Sequence, residues 1–355
     1  MKRQKLRGLF DFEDRMREIA SKDPLARLAD VVDWEVFRAP VENAVQKTPK
    51  APGGRPRFDA VIMFKTIVIQ RLYHLSDAQT EFMIRDRLSF MKFVGVDLYD
   101  DIPDEKTIWR FKEEMITAGV MDQLWAIFNR ELDRLGVKAS RGKIIDASIV
   151  ETVGAPRKKQ KSTDSDAPSV ADTDSETAEE SSTRISRERQ TDTDARWTVK
   201  RKKAYYGYKN HIKIDAKTKL VVADVVTYAS VHDRVILPKL LDEATDKDCE
   251  LYADKGYAGA GSKVEVYDVG AKARIMHKGK RNAPVTDEQK AENRTWAKIR
   301  SRVEHVFGDQ RTSMRFTGVR SRGFPRAEFT IRMNNLVYNL KRLGFLLQTP
   351  VGAIG

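Results

Sequence analysis

The 355-residue sequence holds a single cysteine, Cys249, which excludes an internal disulfide and a cysteine-based zinc site. It also lacks any apolar run near the roughly 20 residues that a bilayer-spanning helix needs. Its opening stretch, MKRQKLRGLFDFEDRM, is basic but has no uninterrupted apolar segment, so it does not read as a signal peptide. The chain is therefore expected to be soluble and cytoplasmic. Charge is what it has in excess. Lys and Arg number 65 against 52 Asp and Glu, a formal net charge of +13. Such a chain is drawn to polyanions, because each neutralised phosphate releases condensed counterions. Its 41% hydrophobic content is enough to fill the cores of about two domains.

The first region, residues 1–136, reads as helical. Leu25, Leu28, Val32 and Trp34 form an early amphipathic stretch, and a Pro/Gly/Lys-rich link runs from Lys47 to Arg57. AVIMFKTIVIQRLYHL suits a mostly buried helix. Ser76 stands at an N-cap before DAQTEFMIRDRL, and a third helix follows Pro103 and Asp104 to end at Gly119. A fourth covers Met121 to Leu135. Short helices in this series resemble a helix-turn-helix array that would present Lys106, Arg110 and Lys112 to DNA. The plainer reading is a helical bundle with a solvated basic face.

From residue 137 to 347 the pattern changes, with a short tail at 348–355. Strands are expected at KIIDASIV, Tyr206–Asp215, Leu220–Tyr228, Cys249–Ala253 and Ala273–His277. Helices are expected at Val235–Ala244 and, as one long element, Ala291–Arg311. An amphipathic helix carrying Phe329, Met333, Leu336, Val337, Leu340 and Leu343 closes the region. The fold class is α+β, a helical region followed by a mixed sheet with helices packed on it. Residues 157–196 form a polar insertion, in which Ser162 to Ser182 carries seven acidic residues and no basic one. This segment is expected to be a disordered surface loop; alternatively its acids mimic phosphate in a basic groove.

Three acids are placed where acids are costly or aimed. Asp146 lies inside an apolar strand, where an ionised carboxylate needs a cation, hydrogen bonds or an open cleft. Asp254 follows the strand CELYA and precedes KGYAGAG, whose glycines leave room for backbone. Glu304 shares one side of its helix with Arg300 and Arg311, opposite Ile299, Val303, Val306 and Phe307. Singly, each acid also fits a turn residue or a surface ion pair. Together they form an oxygen-only set that suits Mg²⁺ or Mn²⁺, and two such ions roughly 4 Å apart can drive phosphodiester chemistry.

The strings IIDASIVE, YGYKNHIKID, ASVHD, YADKGYAGA and RSRVEHVFG, in that order, closely resemble bacterial insertion-sequence transposases of the DDE class. The insertion sequence 5 family is the nearest group. The upstream stretch from Gly54 through IPDEKTIWRF resembles the N-terminal domain of the same family, so the likeness runs from about Phe10 to Leu343, excepting Ser162–Ser182. It implies a ribonuclease H-like catalytic domain holding two Mg²⁺ ions, for which Mn²⁺ substitutes, on Asp146, Asp254 and Glu304. In a Tyr-Arg-Glu-Lys signature of related families, the Arg falls on Arg300 and the Glu on Glu304. Ala297 replaces the Tyr, and Arg311 replaces the Lys, where it can still contact phosphate.

The implied reaction cuts double-stranded DNA at the element's terminal inverted repeats. It then transfers the freed 3′-hydroxyl to target DNA within a homodimer or larger assembly at the nucleoid. A nuclease of the same fold that never joins, and an inactive transposase-derived DNA-binding protein, are the rival readings. Lys209, His211 and Lys213 share one strand face, which is either a phosphate-contacting edge or a solvated one. Trp197 either stacks on a frayed base or packs over a sheet edge.

Overall fold

Residues 23–45, 56–137, 139–153, 155, 191–259, 261–279 and 283–347 are described in the computed structural model of the chain. The acidic Ser162–Ser182 stretch, the tail and most of the Lys47–Arg57 link lie outside the described residues.

Capping side chains set the starts of the N-terminal helices. Asp23 accepts the Leu25 N–H at the head of α1 (Pro24–Val31). A 3₁₀ turn (Trp34–Phe37) leads into α2 (Arg38–Val45), followed by α3 (Ala60–Leu72). The apolar run predicted to be buried is so, with Phe64, Ile67, Val68 and Ile69 each 0% exposed. Ser76 caps α4 (Asp77–Asp86) in a reciprocal capping box with Gln79. At Arg87 the backbone leaves the helix (φ −109, ψ 112), so the helix expected over DAQTEFMIRDRL ends at Asp86, and a further helix, α5 (Leu88–Val94), follows it. Asp104 caps α6 (Glu105–Ala118), and Gly119 ends it at φ +61, a left-handed conformation that glycine adopts without strain. Helix α7 (Met121–Arg134) completes the series.

The sheet begins with β1 (Gly142–Thr152), then β2 (Arg196–Lys200), β3 (Lys203–Asp215) and β4 (Val221–Tyr228). Helix α8 (Asp233–Leu240) and one short turn, α9 (Glu243–Asp246), replace the single helix expected at Val235–Ala244. Strand β5 (Glu250–Ala253), α10 (Ser262–Asp268) and β6 (Lys272–Ile275) follow. The helix expected to run unbroken from Ala291 to Arg311 is two, α11 (Asp287–Arg300) and α12 (Arg302–Thr312). They meet at Ser301, where the Glu304 N–H bonds the Ser301 carbonyl and the helical register tightens. Strand β7 (Gly318–Val319) and α13 (Phe324–Leu346) end the fold.

Strand β1 is the axis of the mixed sheet. It pairs antiparallel with β3 on one side and parallel with β5 on the other, and β6 continues parallel beyond β5. β4 pairs antiparallel with β3, β2 extends the β3 ladder, and β7 pairs with the end of β1. Alternation along β1 sends Ile144 into the core shared with α11, α12 and α13, and Ile145 into the core under α8 and α10.

Helix α13 joins the two halves. Leu336, Val337, Leu340 and Leu343 are 0% exposed and belong to the same core as Phe37, Phe64 and Phe128 of the N-terminal helices. Its polar residues face the sheet: Asn335 bridges Asn210, Asp224 and Gln310, and Asn339 pairs with both backbone groups of Val221. Asp192 and Asp194 accept the N–H groups of Gly323 and Phe324 at the helix start.

On the other sheet face, Lys213 and Asp246 form an ion pair of 2.7 Å whose side chains are 1% and 0% exposed. Removing one partner leaves an uncompensated buried charge. Asp246→Ala is expected to lower stability by about 3–5 kcal/mol in urea unfolding, and the joint replacement Lys213→Met/Asp246→Leu by clearly less. Equal losses in the two proteins would show that the pair does not govern this site.

Candidate active site

The β1–β5 pairing brings two of the expected acids together. Its register runs from Gly142↔Glu250 to Ile145↔Ala253, and the next residue on each strand is an acid, Asp146 and Asp254. The carboxylates therefore leave adjacent parallel strands at the level where β5 ends. Beyond it the chain turns sharply: Asp254 Oδ1 accepts the Gly256 N–H at 2.6 Å, and a Cβ on Gly256 would lie 2.8 Å from that same oxygen. A side chain at Gly256 would press on the acid, which is the physical basis of the glycine requirement read from the sequence.

Asp146 is 18% exposed in its side chain, and its Oδ2 accepts a hydrogen bond of 2.7 Å from Arg300 Nη1. Burial pushes its carboxyl up to about 6, against the opposing pull of Arg300, and the neighbouring Asp254 charge adds to the rise. Arg300 also approaches Glu304 at 3.7 Å. Glu304 itself is 67% exposed, and among the described residues that guanidinium is what links it to Asp146. The other nearby acid, Glu292, is taken by His277 at 2.8 Å.

Two further groups stand at this site: Asp233, which closes the ASVHD string but was given no role from the sequence, and Tyr257. Asp233, at the start of α8, has its Oδ2 3.5 Å from the position a Gly256 Cβ would take, so it borders Asp254; its Oδ1 accepts from Lys209 at 2.9 Å. Tyr257 is 0% exposed, and its hydroxyl has no hydrogen-bond partner among the described residues. Burial and then the charges of Asp233, Asp146 and Asp254 hold its phenol well above its ordinary range.

The face formed by Lys209, His211 and Lys213 is neither a phosphate-contacting edge nor solvated. It is the sheet face opposite Asp146, and α8 and α9 cover it. His211 is 0% exposed, bonded to Thr227 at 3.0 Å, and burial pushes its imidazole down to about 4, so it is neutral at physiological pH. Lys213 is locked to Asp246, and Lys209 to Asp233 and the Val231 carbonyl. Trp197 packs on Tyr206 with ring centroids 5.1 Å apart while staying 40% exposed. Arg311 is exposed on α12 and lines a small recess with Ser148 to Val150, just beyond Asp146 on β1. Lys106 and Arg110 are exposed on α6, whereas Lys112 is bound to Asp77.

Among the described residues no three His, Cys, Asp or Glu side chains stand together in an arrangement that would hold a metal ion. Asp146 and Asp254 nonetheless supply oxygen donors of the kind a hard divalent cation takes, and Arg300, bonded to Asp146 and near Glu304, now provides the positive charge that such a cation would bring. Among the described residues no helix is long and apolar enough to cross a membrane.

Comparison with known families agrees with this arrangement. Residues 138–340 match the transposase DDE domain, and residues 13–114 match a further transposase domain (DUF772). The chain belongs to the DDE transposase family. It is thus a transposase, an enzyme class that acts on DNA. No solved structure matches the chain.

The raised Asp146 carboxyl has a definite consequence for stability. The folded chain keeps this proton up to about pH 6, whereas an unfolded aspartate releases it near 3.9. The folded state therefore binds more protons across that window, and stability falls as pH rises through it. Asp146→Asn is expected to be more stable than the parent at pH 7.5, on the order of 2 kcal/mol, with the difference vanishing by pH 4. Thermal melts across that range check this; a gap that does not change with pH would rule it out.

Proposed function

We propose that the chain is an insertion-sequence transposase of the insertion sequence 5 family, with a ribonuclease H-like catalytic domain. In this reading residues 1–136 serve DNA binding and dimerisation, and residues 137–347 carry the chemistry. The observation that carries it is the placement of Asp146 and Asp254 side by side at the end of the β1–β5 pairing. The sheet supports it too: antiparallel β4, β3 and β1, then parallel β5 and β6, with helices on both faces.

Asp146, Asp254 and Glu304 are the catalytic acids and the residues that would hold two Mg²⁺ ions, with Mn²⁺ as substitute. Bound divalent cations would lower the pKa of an attacking water or hydroxyl and stabilise the leaving oxygen. Arg300 keeps Asp146 ionised and draws Glu304 toward it, and it is free to turn to a phosphate once cationic charge is supplied otherwise. Arg311, beside the same strand, takes a further phosphate contact. Trp197, Lys106 and Arg110 are placed to meet DNA farther out.

The substrate is double-stranded DNA at the element's terminal inverted repeats, bound by a homodimer or larger assembly. Water attacks the phosphorus at the element end, the bond to the 3′ oxygen breaks, and that oxygen leaves with a proton as a 3′-hydroxyl. This hydroxyl then attacks a phosphorus of target DNA, and the displaced target oxygen leaves protonated.

The test uses DNA flanking this gene, labelled at the element's 3′ end. Asp146→Asn, Asp254→Asn and Glu304→Gln are each expected to abolish Mg²⁺-dependent cleavage while keeping DNA binding in metal-free buffer. Transfer of label into target DNA by the parent supports the transposase reading over a nuclease that only cuts. Cleavage surviving in any of the three variants would remove that residue from the catalytic set.

A further inference from the structure

Glu304 opens on a second feature, a cavity of about 640 Å³ between α12 and α13. Lys219, at the end of the β3–β4 turn, lines it, and three side chains grip the carbonyls of that turn. Arg302 Nη1 donates to the Ala216 oxygen at 3.0 Å, Arg342 Nε to the Thr218 oxygen at 2.9 Å, and the Tyr338 hydroxyl to the Lys219 oxygen at 3.0 Å. Lys219 itself sits in the left-handed region, at φ +62.

The grip gathers three cations, Lys219, Arg302 and Arg342, around one turn. Among the described residues none of the three forms an ion pair with a carboxylate. Arg302 and Arg342 spend donors on neutral carbonyls, which neutralise nothing. The crowding is felt at Lys219, whose ammonium is held below its usual range by burial and then by Arg342 and Arg302. A fourth cation in the cavity, Lys341, is already balanced by Asp309 at 2.8 Å. Like charges held together at a cost in a formed cavity are what an anion site looks like before its anion arrives. The Arg342 guanidinium also lies 4.8 Å from the centre of the Phe345 ring, which is 56% exposed and gives the rim a flat apolar surface.

We propose that this cavity binds the phosphodiester backbone of a DNA strand that runs past Glu304, with Lys219 and Arg342 on its phosphates and Arg302, behind the turn, adding to the positive field. The proposal rests on the transposase reading for its ligand, and it adds a strand path that none of Arg300, Arg311, Lys106 and Arg110 defines. The cavity volume suits about one nucleotide unit rather than a whole duplex. The bound strand is therefore a single one, separated from its partner or reached at its backbone, and Phe345 offers it a stacking surface.

The test is a salt titration of DNA binding by the full chain without divalent cations, using DNA flanking the gene as fluorescent probe. Among the described residues the Lys219 side chain makes no hydrogen bond, so Lys219→Ala leaves the turn its three clamps. It is expected to lower the slope of log Kd against log salt by about one unit, and Lys219→Ala/Arg342→Gln by about two. A parallel thermal melt controls for the clamp lost with Arg342. Unchanged slope and affinity in Lys219→Ala overturns the proposal, as does an equal response to inorganic phosphate alone with no effect on DNA. Because no cleavage is read, failure here leaves the cleavage reading standing. A parent protein that binds no DNA at all overturns both.

Discussion

A carboxylate inside an apolar strand is the constraint around which the catalytic half is organised. Asp146 follows Ile144 and Ile145, both 0% exposed, so its own charge has almost no water to lean on. Arg300 answers that charge from a helix 154 residues away in sequence. The guanidinium reaches Asp146 only because α11 lies against β1, which requires Trp296, Val303 and Val306 to be buried on the same side as Ile144. The apolar face of the helix pair and the acid of the strand are thus two sides of one packing solution. A carboxyl titrating at about 6 is what remains of the burial cost after the arginine has acted.

The second constraint is the last helix. α13 carries Leu336, Val337, Leu340 and Leu343 into a core that also contains the aromatic cluster of Trp34, Phe37, Phe64 and Phe93. The N-terminal helices and the sheet therefore cannot be repacked independently. Arg332 extends this link by reaching Asp224 of β4 and Asp122 of α7 at once. The strand that carries Asp146 and the exposed basic residues of α6 are held in a fixed relation through α13.

Elements set by local chemistry were legible in the sequence. Ser76 and Asp104 cap the helices read from them, Gly119 ends one, and the strand bearing Asp146 and the strand that ends just before Asp254 lie within a residue or two of their expected bounds. Where the reading failed, the deciding facts were tertiary. Period-2 alternation put Lys209, His211 and Lys213 on one face correctly, but it cannot say which face is roofed, and the acids that claim the lysines come from α8 and α9. The 3.6-residue pattern runs through Ser301 without a mark, so the break between α11 and α12 was invisible. Asp233 was visible in the ASVHD string, but its place beside Asp254 was not, because the turn at Gly256 brings the two together. Glu304 was read from the helix side it shares with Arg300 and Arg311 as well as from a resemblance, and among the described residues its link to Asp146 runs through Arg300.

That tie explains why the cation cluster around the β3–β4 turn matters to the same site. Glu304 stands between two electropositive centres: Arg300 on the side of Asp146, and Lys219 and Arg342 in the cavity on the other. Arg302, at the head of α12, grips the Ala216 carbonyl, so this helix is anchored at its first residue to the turn that leaves β3. Since β3 is paired along its length with β1, the position of Glu304 is referred to Asp146 through backbone as well as through Arg300. An exposed carboxylate between two cationic sites is pulled both ways and favours neither strongly. Anionic backbone filling the cavity would cancel one pull, leaving the other to bring Glu304 toward Asp146. The acid that looks least committed is thus the one whose position depends most on what is bound beside it.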